Sequence, residues 1–309
     1  MKNIFEEHLY KTMQKNKKVV SIFADSDFAY YEEFEREFRG RYFNFGIAES
    51  NAVAAAAGMA KASQGDIIPI IYTAGAFLAY RAYEFIRNNI CLLNLNVKIV
   101  GMGSGLKINN FGPTHHTTED IALLRSLPNM CILSPASPNE VAPIVDKALS
   151  YEGPVYIRLG KAFETEIYDR TPSFSIGKSN LIQSGKDLTI VSTGSIISNV
   201  IEATQLIEKK GYGVDIINMS TIKPIDAGAI IKSANKTGCV VVVEEHQKMG
   251  GLGGAVSEVL CANGIGVKFE SVGLNDKFCC AYGWHKDLLD DSGLSSLDIF
   301  NACINVLNK

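Results

Sequence analysis

The stretch Tyr42–Ala60, YFNFGIAESNAVAAAAGMA, places a carboxylate where a helix is predicted to begin. An aromatic strand turns through Gly46 into a helix of small residues, and Glu49 lies in its first turn. The helix dipole stabilises such a carboxylate by roughly 0.3–1 kcal/mol, so a capping role alone would explain Glu49. The many alanines favour close packing of this helix against another backbone, such as that of a second subunit.

Three aromatic side chains recur every three residues in YTAGAFLAYRAYEF, after a turn at Gly75. Phe77, Tyr80 and Tyr83 are therefore predicted to share one face of a helix. The spacing alone favours a role in the core. The alternative is an aromatic platform that stacks against a heteroaromatic ring.

Two adjacent histidines, His115 and His116, lie in NNFGPTHHTTED on a Gly-Pro loop just before a predicted helix. Adjacent histidines cannot share the face of a zinc-binding helix, so no metal site is expected there. Loop histidines are suited to substrate contact and proton transfer.

The glycine cluster at 250–254 follows a predicted strand and begins a helix, where backbone N–H groups can bind an anion. Val256 stands where the third glycine of G-x-G-x-x-G would be. Tight packing of the helix on the strand is therefore favoured over a nucleotide site.

The elements that must position these residues alternate along the whole chain. Several strand-like runs are continuous in Val and Ile, as expected for strands covered on both faces. This order predicts an α/β fold of two domains, each a mostly parallel sheet flanked by helices. The predicted strands are Val19–Phe23, Ile67–Tyr72, Val97–Gly101, Cys131–Ser134, Val155–Arg158, Leu188–Ser192, Val214–Asn218 and Cys239–Glu244.

The alternation stops in a polar, turn-rich segment that begins near Lys161. We interpret residues 166–186 as a linker between a first domain, residues 1–165, and a second domain, residues 187–309.

The composition excludes several classes of protein. With 30 Lys and Arg against 33 Asp and Glu, the net charge of −3 gives no basic field for nucleic acid or an anionic membrane surface. The sequence contains no run of about 18 consecutive apolar residues, so no membrane span is expected. Glu6 and Glu7 interrupt any signal-peptide core, and the seven cysteines form no C-x-x-C pair, so a cytoplasmic chain with reduced thiols is expected.

The motifs, taken in order, resemble the C-terminal half of transketolase. A pyrimidine-binding domain would contain FGIAE, AGAFLAYRAY, GPTH and VYIRLG, and a C-terminal domain would contain DLTIVSTGS, INMSTIKPID and VVVEEHQKMGGLGGAVSE. The chain is also similar, more distantly, to 1-deoxyxylulose-5-phosphate synthase and to the β subunits of 2-oxo acid dehydrogenases.

The resemblance implies roles for individual residues. Glu49 matches the glutamate that hydrogen-bonds N1′ of the aminopyrimidine of thiamine diphosphate, and Phe77, Tyr80 and Tyr83 match the aromatic pocket around that ring. The cofactor supplies the nucleophile and electron sink, while the protein orients it and handles protons.

Three further matches concern the thiazolium and the substrate. Asp25 in FADSD matches an acidic residue near the thiazolium, His115 a substrate-contacting histidine, and Arg158 an arginine that grips the anionic end of the substrate.

The family's Gly-Asp-Gly motif, which with a following Asn holds Mg²⁺ or another divalent cation and the diphosphate, does not occur in these 309 residues. The resemblance therefore implies one subunit of a split enzyme whose partner, an N-terminal-half transketolase subunit, carries that motif and anchors metal and cofactor. No metal ligand is expected in this chain. A homodimer within an α₂β₂ complex is the predicted assembly.

The substrate pocket departs from the usual transketolase pattern. Phe111, Gly103 and Ala29 stand where an acidic residue, a histidine and a serine are usual, so the common pentose phosphates are not assured as substrates. The favoured hypothesis is transfer of a two-carbon ketol unit from a ketose with a phosphate or similar anionic tail to an aldose. The alternatives are a deoxyxylulose-phosphate synthase-like carboligase, a 2-oxo acid dehydrogenase β-type subunit, and a non-catalytic assembly subunit.

Overall fold

The computed structural model describes residues 1–25, 28–161 and 164–309. Its two β-sheets are mostly parallel, which confirms the predicted fold class. The strands are β1 (Val19–Phe23), β2 (Tyr42–Asn44), β3 (Ile68–Ala74), β4 (Lys98–Met102), β5 (Cys131–Leu133), β6 (Val155–Leu159), β7 (Asn180–Gln183), β8 (Leu188–Ser192), β9 (Val214–Asn218), β10 (Thr221–Lys223), β11 (Cys239–Gln247) and β12 (Lys268–Leu274).

Helices cover both faces of each sheet. They are α1 (Lys2–Lys15), α2 (Tyr31–Glu37), α3 (Glu49–Ala62), α4 (Tyr83–Phe85), α5 (Asp120–Arg125), α6 (Val141–Ser150), α7 (Ile197–Glu208), α8 (Ala227–Thr237), α9 (Leu252–Ala262), α10 (His285–Asp291) and α11 (Ser296–Asn308). None of the helices within the described ranges has the length and apolar character needed to cross a membrane.

The first sheet has the strand order β10-β5-β6-β4-β3-β1-β2 and is parallel except for β10. Its central strands are buried along their whole length, and apolar clusters cover them on both faces. Full burial of one Val or Ile side chain contributes about 1.5–3 kcal/mol, so the continuous apolar runs stabilise a sheet covered on both sides.

The second sheet has the order β12-β11-β8-β9-β7, in which β7 alone runs antiparallel to its neighbour. The strand β10 comes from this half of the chain but pairs with β5 of the first sheet, with Thr221 opposite Leu133. The two halves of the chain therefore share a sheet as well as an interface.

Some elements were not predicted. Part of the segment 166–186, interpreted as a linker, forms the edge strand β7. The short strand β10, the partly exposed strand β12 and the helices α2 and α10 were also missed. These elements are short or half-exposed, so their apolar patterns are weak. The domain division at 165 and 187 stays a prediction.

The helix predicted to carry Phe77, Tyr80 and Tyr83 is also different in the structure. Two π-helical segments, Phe77–Arg81 and Ile86–Cys91, flank the three-residue helix α4. A π turn closes an i→i+5 hydrogen bond, here from Ala82 N–H to the carbonyl of Phe77 at 3.3 Å. Side chains three positions apart therefore no longer lie on one face.

Candidate active site

The carboxyl ends of β2, β3 and β4 lie at one edge of the first sheet, because these strands run parallel. From this edge β2 continues through Gly46 into α3, β3 into the π-helical segment 77–81, and β4 into the loop 103–116. Ligand sites of open α/β sheets form at this edge. Glu49, Phe77 and His115 are brought together here.

Contacts join these three residues in series. Arg81 donates from Nη1 to Oε2 of Glu49 at 2.8 Å, and its guanidinium lies 4.6 Å from the centre of the Phe77 ring. Phe77 meets the His115 ring edge-on at 5.0 Å, and Phe111 stacks on His115 at 4.9 Å. The site thus combines one carboxylate, one guanidinium, one imidazole and two aromatic rings.

Glu49 is buried, with 1% of its surface exposed, whereas the Arg81 side chain is half exposed. Gly46 has φ 64°, a left-handed conformation that favours glycine, and this turn points α3 back along the sheet. Asn44 accepts hydrogen bonds from Gly46 N–H at 2.9 Å and from Asp25 N–H at 3.3 Å. The same amide thus links the turn that leads to Glu49 to the end of β1.

Asp25 is exposed directly after β1 and has φ 44°. The two residues that follow it lie outside the described part of the chain. Its backbone hydrogen bond to Asn44 places it at the same edge of the sheet as Glu49.

Tyr80 and Tyr83 are placed differently from Phe77. The hydroxyl of Tyr80 accepts from the N–H groups of Thr118 and Glu119 at 2.9 and 3.0 Å and donates to the Glu119 carboxylate. Burial and the nearby carboxylates raise the pKa of Tyr80. The residue as a whole is 36% exposed, so its ring can still stack against a planar ligand.

The hydroxyl of Tyr83 lies 3.2 Å from Ser126 Oγ, and its ring packs against the apolar cluster on one face of the first sheet. Phe77 packs against the cluster on the opposite face. The three rings therefore do not form the single stripe that their spacing predicted, because the π turns change their angular positions.

The two histidines have separate environments. His115 Nδ1 lies 2.9 Å from Thr114 Oγ1, and partial burial together with the charge of Arg81 lowers its pKa. His116 is buried, which lowers its pKa, and its Nε2 has no hydrogen-bond partner among the described residues. His115 therefore belongs to the cluster around Phe77, and His116 points into the protein.

Arg158, which the resemblance predicts to grip the anionic end of the substrate, makes internal bonds in the structure. This residue is 3% exposed, and its Nε donates to both carboxylate oxygens of Asp120 at 3.1 and 2.9 Å. Its Nη2 donates to the carbonyls of Thr117 and Glu245 at 3.0 and 2.9 Å. The guanidinium therefore lies between the two halves of the chain, where its hydrogen bonds connect β6 to α5 and β11.

Three lysines line a neighbouring cleft of about 660 Å³, which was not predicted from the sequence. Lys107, Lys161 and Lys286 line it, together with Tyr282 and the largely exposed Trp284. Within residues 1–25, 28–161 and 164–309, no carboxylate pairs with the ammonium groups of Lys161 and Lys286. The run YGWHK combines aromatic and basic residues and could have indicated this cleft from the sequence.

The three residues that depart from the usual pocket pattern have different surroundings. Gly103 has φ 80°, and a Cβ there would collide with the side chain of Ile108, so a histidine cannot occupy this position without movement. Phe111 stacks on His115. The N–H of Ala29 donates to Oε2 of the buried Glu6 at 3.1 Å.

The glycine cluster at 250–254 holds a protein carboxylate. Glu244 accepts from the N–H groups of Leu252 and Gly253 at 2.7 and 2.8 Å, at the start of α9. Burial raises the pKa of Glu244 to about 7. The predicted close packing of helix on strand is thus the arrangement found, and the anion position at this helix is filled from β11.

Metal-ligating side chains do not cluster in the described ranges: no group of three or more His, Cys, Asp or Glu residues could hold an ion there.

Comparison with known families gives two matches. Residues 1–163 match the family described as "Transketolase, pyrimidine binding domain", and residues 177–299 match "Transketolase, C-terminal domain". The candidate site at the edge of the first sheet lies in the first of these regions.

Individual relatives span the same length. The chain is 36% identical to the "Putative transketolase C-terminal section" of Methanocaldococcus jannaschii, over 100% of this chain and 96% of that protein. It is 32% identical to an apulose-4-phosphate transketolase subunit of Actinobacillus succinogenes, over 98% of this chain and 97% of that protein.

A solved structure titled "Split gene transketolase, inactive beta4 tetramer" superposes with a TM-score of 0.88 at 37% identity, covering 99% of this chain and 97% of that chain. The chain therefore belongs to the transketolase family, in which it corresponds to the C-terminal half that split enzymes carry as a separate subunit.

Proposed function

We propose that this chain, together with a separate N-terminal-half subunit, transfers a two-carbon ketol unit from a ketose with an anionic tail to an aldose. The observation that carries this proposal is the buried Glu49 carboxylate, bound by Arg81 beside the rings of Phe77 and His115. An inert scaffold has no physical need to keep a buried carboxylate and a half-exposed guanidinium at the ligand-binding edge of its sheet.

The residues around Glu49 fit the aminopyrimidine end of thiamine diphosphate. A buried carboxyl group can share one proton with a ring nitrogen in a charge-assisted hydrogen bond, and Phe77 and the partly open ring of Tyr80 offer apolar surface to a planar heterocycle. When bound, the cofactor would supply the nucleophilic carbon and the electron sink that ketol transfer requires. Glu49 would hold the proton at the ring nitrogen, and His115 would contact the substrate and move a proton at its oxygen.

We assign the diphosphate and Mg²⁺ to the partner subunit, since Gly-Asp-Gly is absent from this sequence. Asp25 remains a proposed contact near the thiazolium because it lies at the end of β1, on the same edge of the sheet as Glu49.

The anionic tail of the substrate is assigned to the cleft lined by Lys107, Lys161 and Lys286 instead of to Arg158. The guanidinium of Arg158 is already bound to Asp120 and to two carbonyls, whereas Lys161 and Lys286 line an open cavity next to the loop that carries His115. Lys107, at the same cavity, is mostly buried 3.9 Å from Glu164. A relative named for a sugar 4-phosphate is consistent with an anionic substrate.

We further propose an α₂β₂ assembly in which this chain forms a homodimer. The similar chain of the inactive β₄ structure associates with its own copies, by its title, without activity. Activity of the present chain is accordingly expected only with the partner.

The test is reconstitution with an N-terminal-half subunit that carries Gly-Asp-Gly, followed by product analysis with a phosphorylated ketose and an aldose acceptor. Transfer of a two-carbon unit supports the proposal. Product formed only from pyruvate would favour the carboligase or decarboxylase alternatives. Binding of the partner without turnover of any donor would favour a non-catalytic subunit.

A further inference from the structure

The loop that carries Phe111 and His115 is closed at its base by two hydrogen bonds. Gly105 N–H donates to Thr117 O at 2.9 Å, and Thr117 N–H donates to Gly105 O at 2.8 Å. The residues between them have no strand or α-helix of their own, only two short 3₁₀ turns. Other parts of the chain must therefore fix the position of His115.

Three hydrogen bonds join the C-terminal domain to this loop, and the side chain of Leu106 packs in that domain's apolar core. Glu245 accepts from Leu106 N–H at 2.6 Å, the Gly283 carbonyl accepts from Asn109 Nδ2 at 2.6 Å, and the hydroxyl of Tyr282 donates to the Asn110 carbonyl at 3.5 Å. The loop residues that make these hydrogen bonds, Leu106, Asn109 and Asn110, all precede Phe111. The hydrogen bonds attach the loop to β11 and to the segment before α10.

We propose that Glu245 and His285 are positioning residues, which hold the loop 105–117 so that the C-terminal domain sets the placement of His115 for catalysis. This inference rests on the proposed function of the His115 site. Neither residue touches the cluster around Glu49 and Phe77, and the effect passes through the backbone of Leu106.

The fit at Glu245 is close. Its carboxylate is buried, and Oε1 lies 2.8 Å from His285 Nε2 while it also accepts from Leu106 N–H. Gly105 has φ 62°, and a Cβ there would collide with Glu245 Oε1. The loop backbone can therefore approach the carboxylate only because the neighbouring residue is glycine.

The charge at Glu245 is retained despite burial. Burial by itself raises the pKa of this carboxyl, but His285, Lys107 and the Leu106 N–H outweigh that effect and hold the pKa at about 2. The bond to Leu106 is thus charge-assisted, which makes it shorter and stronger than a bond between neutral groups. Replacing the carboxylate with an amide keeps the shape and removes this charge.

The experiment compares Glu245→Gln with Glu258→Gln in the reconstituted complex. Glu258 also makes an ion pair across the interface of the two domains, to Arg125 at 2.7 Å, but does not contact the loop. For each variant the measurements are kcat and KM for a ketose donor, the Kd for thiamine diphosphate and the amide hydrogen exchange of residues 103–116.

For Glu245→Gln we expect kcat to fall at least about 10-fold, since small misplacements of a catalytic group can cost up to about 100-fold. Exchange at 103–116 should rise, and the cofactor Kd should stay unchanged. For Glu258→Gln all of these values should stay near wild type. Unchanged exchange in the loop, or raised exchange with unchanged kcat, would overturn the proposal.

Two further comparisons cover the cases in which a variant does not fold or the complex is inactive. If Glu245→Gln does not fold, His285→Gln replaces it, with the same expected rise in exchange and fall in kcat. If the wild-type complex transfers no ketol unit, the proposed function fails on its own, and the exchange comparison still decides whether Glu245 holds the loop.

Discussion

Arg81 Nη1 lies 2.8 Å from Oε2 of Glu49, although 32 positions separate the two residues in the sequence. The same guanidinium covers the ring of Phe77, so one side chain joins the carboxylate to the aromatic wall of the site. Arg81 thereby balances the charge of a buried carboxylate at the carboxyl ends of the strands.

Replacement of Glu49 by Gln should abolish most activity without unfolding the chain. A near-isosteric amide fits the first turn of α3 but does not hold a proton at a ring nitrogen, so ketol transfer should fall at least about 10²-fold. The matched control is Glu84→Gln, an exposed carboxylate on the neighbouring segment that bonds only to Asn88 among the described residues. Near wild-type turnover of Glu49→Gln, at equal Tm, would remove this residue from the mechanism.

Replacement of Arg158 by Ala should act on stability. It leaves the buried carboxylate of Asp120 without its cation, and loss of one partner of a buried pair typically costs about 3–5 kcal/mol. Urea unfolding measures this difference. In the exposed pair of Arg36 and Glu37, the corresponding change Arg36→Ala should cost only about 0–1 kcal/mol. An unchanged stability with a raised KM for anionic donors would restore the substrate role of Arg158.

Replacement of Lys161 by Ala should raise KM for ketoses with an anionic tail. A hydrogen bond to a charged group contributes roughly 1.5–3 kcal/mol, which corresponds to about a 10- to 100-fold change. Donors without a charged tail should be affected little, and Lys232→Ala, a lysine on α8, should leave both classes of donor unchanged. An equal loss with charged and uncharged donors would contradict an anion-binding role.

Cofactor binding should require both subunits. Titration of thiamine diphosphate with Mg²⁺ into this chain, into the N-terminal-half subunit and into their mixture should show tight binding only in the mixture. Light scattering should give the mass of an α₂β₂ complex there, because obligate interfaces of this kind bury well over about 2,000 Å². Tight binding and ketol transfer by this chain alone would disprove the division of the site.

The buried Lys98 should make stability depend on pH. Its Nζ donates to the carbonyls of Tyr151 and Gly153, and burial lowers its pKa to about 7. In the unfolded chain a lysine titrates near about 10.4, so between about pH 7 and 10 the unfolded state binds more protons and the free energy of unfolding rises with pH. Lys98→Met should lack this rise. Parallel slopes for the two proteins in urea unfolding series would contradict the shifted pKa.

The sequence by itself determined the fold class, the family and the position of Glu49 at the start of α3. Continuous Val and Ile runs identify buried parallel strands, because both faces of such a strand exclude water. The segments FGIAE and AGAFLAYRAY are short motifs that can be recognised in a single sequence. The turn at Gly46 is also local, so the position of Glu49 in the first turn of α3 followed from the sequence.

Only the tertiary structure decided which charged groups form buried ion pairs and which face an open cleft. Arg158 and Lys161 are three residues apart at the end of β6, yet Arg158 is buried against Asp120 and Lys161 faces an open cleft. The residues around them come from α5, β11 and the segment before α10, and the sequence near β6 does not reveal these neighbours. The same reason applies to Glu245 and Leu106, which lie 139 positions apart in sequence and meet only when the two halves of the chain pack together.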